Sequence, residues 1–156
     1  MLFERVDRVV VLVDDFDGTR TFFADLFDVA FDPTVRDDEH QLQVAHTGRF
    51  GFEVGSPMSD GHPLAEQEKA WLAEHGPGLR MIVVKVSDMA AALQHFARRG
   101  IEPIGRIRVG DAEEAFFDPR DTMGVAICLN HYPDPHPMSA QGARLTREPE
   151  AGEVRS

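Results

Sequence analysis

The chain is 156 residues and 17.4 kDa, one domain's worth, and its 42% hydrophobic and 28% charged content is that of a globular protein with a real core. A formal net charge of −11 argues against nucleic acid as a partner, because phosphate binding needs clustered basic residues; it also mildly favours cationic small molecules. No apolar run approaches the roughly 20 residues of a membrane span, the opening MLFERVDRVV does not read as a signal peptide, and the lone Cys128 excludes an intrachain disulfide, so a cytoplasmic location away from the membrane is expected.

Residues 5–13 predict the first strand, and Val9, Val10 and Val11 in succession suggest burial on both faces. Asp14, Asp15 and Asp17 supply an N-cap and negative charge at a helix start. That helix runs from Asp17 to Phe27 and is expected to bury Phe22, Phe23, Leu26 and Phe27. After the Asp32-Pro33 break comes a strand near Val35. A hairpin of two strands, Gln41 to Ala45 and Arg49 to Val54, follows. Residues 55–63 read as a loop, Leu64 to His75 as a short helix, and Gly76-Pro77-Gly78 as its stop. Strands at 80–86, 101–109, 113–118 and 124–130 and a helix at 88–99 complete the reading. From His131 onward the chain is Pro-rich, polar and aperiodic, and its last part is expected to be disordered.

One unit occurs twice. Residues 8–24 superpose on 81–97 with an offset of 73, matching Val10/Val83, Val11/Val84, Val13/Val86, Asp15/Asp88, Phe23/Phe96 and Ala24/Ala97. Each half has the order β-α-β-β-β. The sequence therefore predicts an α+β fold: two tandem βαβββ modules forming a curled mixed sheet around one cavity. Module one spans 5–57, a linker helix 58–78, and module two 79–130, as a single domain 1–130 followed by a tail at 131–156.

Three stretches carry a family resemblance. Val6 to Val13 resembles the opening strand of the vicinal oxygen chelate superfamily, which includes glyoxalase I, methylmalonyl-CoA epimerase, extradiol dioxygenases and bleomycin-resistance proteins. Leu72 to Ile82 and Ala115 to Val125 resemble the short helix with Gly-rich turn and the closing hairpin of the epimerase branch. The resemblance implies one divalent metal in the cavity, bound by a His on each opening strand and a Glu or Gln on each closing strand. Those positions here are Arg8, Glu53, Met81 and Cys128. Arginine has no lone pair to donate, and methionine and a thiolate are soft ligands, so only Glu53 suits a hard or borderline ion. No metal or other cofactor is expected at that position.

Two readings of Arg8 and Glu53 stay open. They form either a buried ion pair filling a vacated metal site, or a catalytic pair with Glu53 as acid/base and Arg8 as fixed cation. A guanidinium lowers the pKa of an adjacent carboxyl, which weakens the second reading. Cys128 and Met81 are expected on the cavity wall, the thiol inert unless a base lies near it. Phe116 and Phe117 alternate on one strand, so one faces the cavity and the other a helix. Arg120 sits in the turn Asp118 to Gly124, which resembles the epimerase turn near bound CoA; it is either a phosphate contact or a solvated turn residue. No pair among the seven histidines has the spacing of a zinc motif.

Taken together, these residues lead to a metal-independent enzyme of the isomerase or lyase kind, acting on a carbonyl-bearing small molecule such as an acyl thioester or polyketide. The alternatives are a protein that sequesters an antibiotic or natural product, as in the bleomycin-resistance branch, and a degenerate relative with a structural or regulatory role. A homodimer is expected by resemblance.

Overall fold

In the computed structural model, which describes residues 1–136, strands and helices follow in the order β1 (Phe3–Leu12), α1 (Phe16–Phe27), β2 (Val35–Asp37), β3 (Leu42–His46), β4 (Phe52–Pro57), α2 (Pro63–His75), β5 (Gly78–Val86), α3 (Met89–Ala97), β6 (Gly105–Val109), β7 (Ala112–Phe117) and β8 (Ile127–His131). All eight strands join one curled sheet in the order β2-β3-β4-β1-β5-β8-β7-β6. The order is symmetric about the β1/β5 seam. In each half the strand before the first helix pairs in parallel with the last strand, β1 with β4 and β5 with β8. At the seam β1 and β5 run antiparallel. The mixed α+β sheet expected from the duplication is what the chain forms.

The period-two alternation of strand side chains separates two layers. Val11, Val13, Ala45, Phe52 and Val54 turn outward against Phe16 and Phe23 of the α1 segment. Val84, Val86, Ala115, Phe117 and Leu129 turn outward against Met89, Ala92 and Phe96 of α3. Residues of opposite parity, Val10, Val83 and Cys128 with Met81 and Phe116, form a third apolar cluster on the inner face. The matched pairs of the repeat play matched parts. Asp15 caps α1 by accepting from the Gly18 amide at 3.0 Å, and Asp88 caps α3 by accepting from the Ala91 amide at 2.9 Å. Val13 and Val86 are both fully buried, and each such side chain contributes about 1.5–3 kcal/mol of burial free energy.

Several expectations shift. Helix α1 buries one narrow face only: Phe22 and Leu26 are 59% and 58% exposed and Phe27 is partly exposed, so three of the four aromatic and aliphatic residues assigned to the core stay at or near the surface. Phe27 instead stacks on Phe23 and Phe50, joining an aromatic run along the flank of the sheet. In module two the strand after α3 starts only at Gly105, because Pro103 cannot donate to the ladder and residues 101–103 run without strand structure. The β3–β4 connection holds a tight 3-10 turn at Gly48–Phe50, closed by Thr47, whose hydroxyl donates to the Phe52 carbonyl and accepts from its amide. Gly51 then passes close to β1. Its φ is +72°, its carbonyl accepts from the Val9 amide at 2.9 Å, and a Cβ there would lie 3.1 Å from the Asp7 carbonyl. Beyond β8, Tyr132 is buried and its hydroxyl bonds back to Asp7 at the start of the chain; the last part of the tail, expected to be disordered, lies outside the described residues.

Candidate functional site

The inner face of the sheet walls a cavity of about 90 Å³. That volume accommodates a short acyl chain. Val10, Leu12, Leu42, Val44, Val83 and Ile107 make most of the wall apolar. Helix α2, between the two halves, lies across it through Leu64 and Glu68. Glu68 accepts two hydrogen bonds from Arg80 of β5, at 2.8 and 3.0 Å, and the Arg80 guanidinium lies over the Trp71 ring at 5.3 Å.

Strand register positions the polar floor. Val10 pairs with Glu53 across β1/β4, and Val83 pairs with Cys128 across β5/β8. Arg8 pairs with Val83 and Val10 with Met81 across the seam. Given the repeat equivalences Arg8/Met81 and Val10/Val83, Glu53 and Cys128 thus occupy equivalent registers, and all four side chains line one cavity.

At the centre is the Arg8 guanidinium, buried to 6% exposure. Its Nε donates to Glu53 Oε2, one terminal nitrogen to Glu114 Oε1 at 2.9 Å, and the other to Asp7 Oδ2 at 3.1 Å. A guanidinium has five N–H donors; among the described residues three of them are engaged. Each carboxylate has a different second partner. His46 Nε2 lies 2.9 Å from Glu53 Oε2. Asn130 donates to Glu114 Oε1 at 3.1 Å, from the register position directly opposite on β8. Asp7 Oδ1 accepts from the Tyr132 hydroxyl at 2.7 Å and from Arg5 Nε at 3.1 Å.

These surroundings split the two glutamates. Burial alone raises a carboxyl pKa, but at Glu53 the Arg8 guanidinium and His46 outweigh it and hold the group well below the usual carboxylate range. At Glu114 burial wins: Arg8 opposes the rise, yet the nearby Glu53 charge reinforces it, and the pKa is raised. Burial, helped by Glu114, pushes the Cys128 thiol well above its ordinary value, which keeps it a neutral thiol. Beneath the cluster, His136 stacks edge-on against His46 and Tyr132, and burial with Arg8 nearby pushes its pKa down to about 3.

Of the residues singled out in the sequence, Arg8, Glu53, Met81, Cys128 and Phe116 meet at this cavity. Phe117 does not join the cavity wall between them. It packs in the core against Phe96 of α3, because successive strand residues face opposite layers. Arg120 is also outside the cavity: it sits in a 3-10 turn at Pro119–Asp121 with an 88% exposed side chain paired to Asp118. Glu114, Asp7, His46, Asn130, Arg80 and Glu68 escaped the sequence reading. For Glu114 a signal existed, since it has the parity of Phe116 on the same strand. Among the described residues no group of three or more His, Cys, Asp or Glu is arranged to hold a metal ion. Likewise, no described helix is long and apolar enough to cross a membrane.

Comparison with known proteins agrees with this architecture. The chain resembles the methylmalonyl-CoA epimerase of Mycobacterium tuberculosis at 21% identity and a TM-score of 0.72, covering 85% of this chain and 90% of that one. A variant of the Streptomyces coelicolor methylmalonyl-CoA epimerase in complex with 2-nitronate-propionyl-CoA matches at 20% identity and a TM-score of 0.71, covering 85% and 96%. A hypothetical protein from Bacillus halodurans matches at 18% identity and a TM-score of 0.73, again covering 85% and 96%. At these identities the likeness is one of fold. Residues 7–117, well over half of the chain, match the family described as the Glyoxalase/Bleomycin resistance protein/Dioxygenase superfamily, and the protein belongs to it.

Proposed function

We propose that the protein is a metal-independent enzyme of the isomerase or lyase kind, acting on a carbonyl-bearing small molecule, with an acyl thioester as the first candidate. The observation that carries this reading is the buried Arg8 guanidinium in the wall of a mostly apolar cavity, with N–H donors beyond the three given, among the described residues, to Asp7, Glu53 and Glu114. A fixed cation in such surroundings stabilises negative charge that develops on a carbonyl oxygen when a proton leaves the adjacent carbon. The fold neighbours include epimerases whose ligand is an acyl-CoA derivative, which supports the substrate class. The residues at the position where relatives hold a metal do not fit one: a guanidinium, a thioether, a neutral thiol, and a carboxylate already paired with the guanidinium. No step of the proposal runs through a metal. Met81, Cys128 and Phe116 shape the substrate end of the cavity, and Glu53, assigned by sequence to acid/base work, anchors Arg8. A polyketide-like substrate, a homodimer and a cytoplasmic location belong to the same proposal.

The pairing of Arg8 with three carboxylates favours a second reading, in which the cluster is structural and the cavity sequesters an apolar natural product. One experiment separates the two. EDTA-treated protein is incubated with methylmalonyl-CoA in deuterated buffer, and label at the α-carbon is followed by NMR. Incorporation above the buffer rate that is indifferent to added cobalt or magnesium supports the enzyme. Absence of incorporation, or incorporation that requires a divalent ion, overturns it.

A further inference from the structure

The cavity floor contains two glutamates but only one guanidinium between them. Glu53 is pinned: the Arg8 Nε donates to its Oε2, and His46 Nε2 lies 2.9 Å from the same oxygen. Glu114 is held differently: both of its hydrogen bonds, from Arg8 and from Asn130, fall on Oε1, and among the described residues Oε2 makes none. Its side chain is also the more open of the two, 13% exposed against 8%. It stands beside Phe116, Cys128 and Met81, the apolar end of the cavity.

Resting on the acyl-thioester reading above, we propose that Glu114, and not Glu53, is the catalytic residue that takes and returns the substrate proton. A single positive charge cannot fully neutralise two carboxylates. Glu53 accepts from the Arg8 Nε, and His46 lies against the same oxygen. Glu114 is left with the weaker claim in apolar surroundings, and the opposite directions in which the two pKa values move agree with this division of labour. In the forward step the C–H bond next to the carbonyl breaks and a new O–H bond forms at Glu114 Oε2. The C–H electron pair becomes the new C=C bond, and the carbonyl pair moves onto oxygen, giving an enolate that faces the remaining N–H donors of Arg8. In the return step the O–H bond breaks and the C–H bond re-forms at the same carbon. No electrons enter or leave. Asn130 is a positioning residue: its amide fixes Oε1 and so aims Oε2.

The test is α-proton exchange of methylmalonyl-CoA in deuterated buffer by the wild type, Glu114→Gln, Glu114→Asp and Glu53→Gln, together with binding of 2-nitronate-propionyl-CoA, an enolate mimic, to each. Glu114→Gln is expected to lose exchange by 100-fold or more, keep its binding of the mimic within about threefold, and keep its far-UV circular dichroism. The aspartate variant should recover part of the rate, which a purely structural role for Glu114 would not produce. In the wild type the exchange rate should rise with pH to a midpoint above the ordinary glutamate range, because the carboxylate form is the base and its pKa is raised. Exchange by Glu114→Gln within threefold of wild type, or loss confined to Glu53→Gln, overturns the assignment. If the wild type neither exchanges the proton nor binds the mimic, the acyl-thioester reading beneath it fails first, and the assignment goes with it.

Discussion

Replacing Arg8 with Met removes the one cation shared by Asp7, Glu53 and Glu114 while keeping much of the side-chain volume. The three carboxylates are not equally affected. Asp7 retains Tyr132 and Arg5, and Glu114 retains Asn130, but Glu53, 6% exposed, is left with His46 alone. An orphaned buried charge of this kind typically costs about 3–5 kcal/mol. At a denaturant slope of about 2 kcal/mol per M, this lowers the urea midpoint by roughly 2 M at pH 7. The pH dependence has a definite sign. In the wild type the folded-state pKa of Glu53 is depressed, so its contribution is present above the unfolded carboxylate pKa and is lost as pH falls through the folded value. In the variant the same carboxyl is buried without its cation, its folded pKa rises above the unfolded one, and acid favours the folded state. The stability gap between the two proteins should therefore narrow from pH 7 to pH 5. Urea titrations followed by circular dichroism at both pH values measure it, and adding Glu53→Gln to Arg8→Met should recover more than half of the loss. A gap below about 1 kcal/mol at pH 7, or one that does not narrow at pH 5, would refute the reasoning.

Three further outcomes are expected. Gly51→Ala combines a left-handed φ with a Cβ pressed to 3.1 Å from the Asp7 carbonyl; it should cost about 1–3 kcal/mol in a thermal melt, and a loss below about 0.5 kcal/mol would show that the β1–β4 approach relaxes freely. Tyr132 is the chain's single tyrosine, and burial together with its hydrogen bond to Asp7 raises its phenol pKa. Absorbance at 295 nm should therefore show no phenolate until well above the usual midpoint near ~10. Because the folded state holds that proton more tightly, stability should fall as pH rises past the unfolded pKa; a native titration at the ordinary value would contradict the Tyr132–Asp7 contact. Cys128 is buried with a raised thiol pKa, so Ellman's reagent at pH 8 should react only at the rate of unfolding. Prompt stoichiometric reaction in native buffer would place the thiol at the surface instead.

What the chain discloses on reading, and what it withholds, follows from the range of the interactions. Strand parity and N-caps are local, so Val10, Val83, Asp15 and Asp88 reveal the repeat and its helices directly. The family resemblance marks Arg8, Glu53, Met81 and Cys128 as one set, and the matched registers of the two halves bring them to one cavity. Phe116 and Phe117 could not be told apart, since alternation gives two faces without naming them. Phe22 and Leu26 misled because a helix at the flank of a sheet buries a narrower face than its apolar residues suggest. Glu114 was missed for another reason: its parity with Phe116 marks its face, but nothing local names its partner. Glu114 meets Arg8 across 106 positions of sequence, and no local pattern marks a charge whose partner is that distant. Tyr132 and His136 sit in an aperiodic stretch, and their contacts with Asp7 and His46 come from closure of the sheet rather than from periodicity.

The β1/β5 seam also sets an order of assembly. Every pairing within a half joins strands of the same repeat, whereas the seam unites residues 3–12 with residues 78–86 and the Tyr132–Asp7 bond closes a span of 125 residues. Loop-closure entropy makes such joins the costly late events of folding. Each half can gather its own sheet and helix before the halves meet, and the middle of the finished sheet is then the last part to form. The rate at which this protein folds is accordingly governed at its centre. Substitutions along the seam that spare both halves should slow folding while leaving the early collapse of each half untouched.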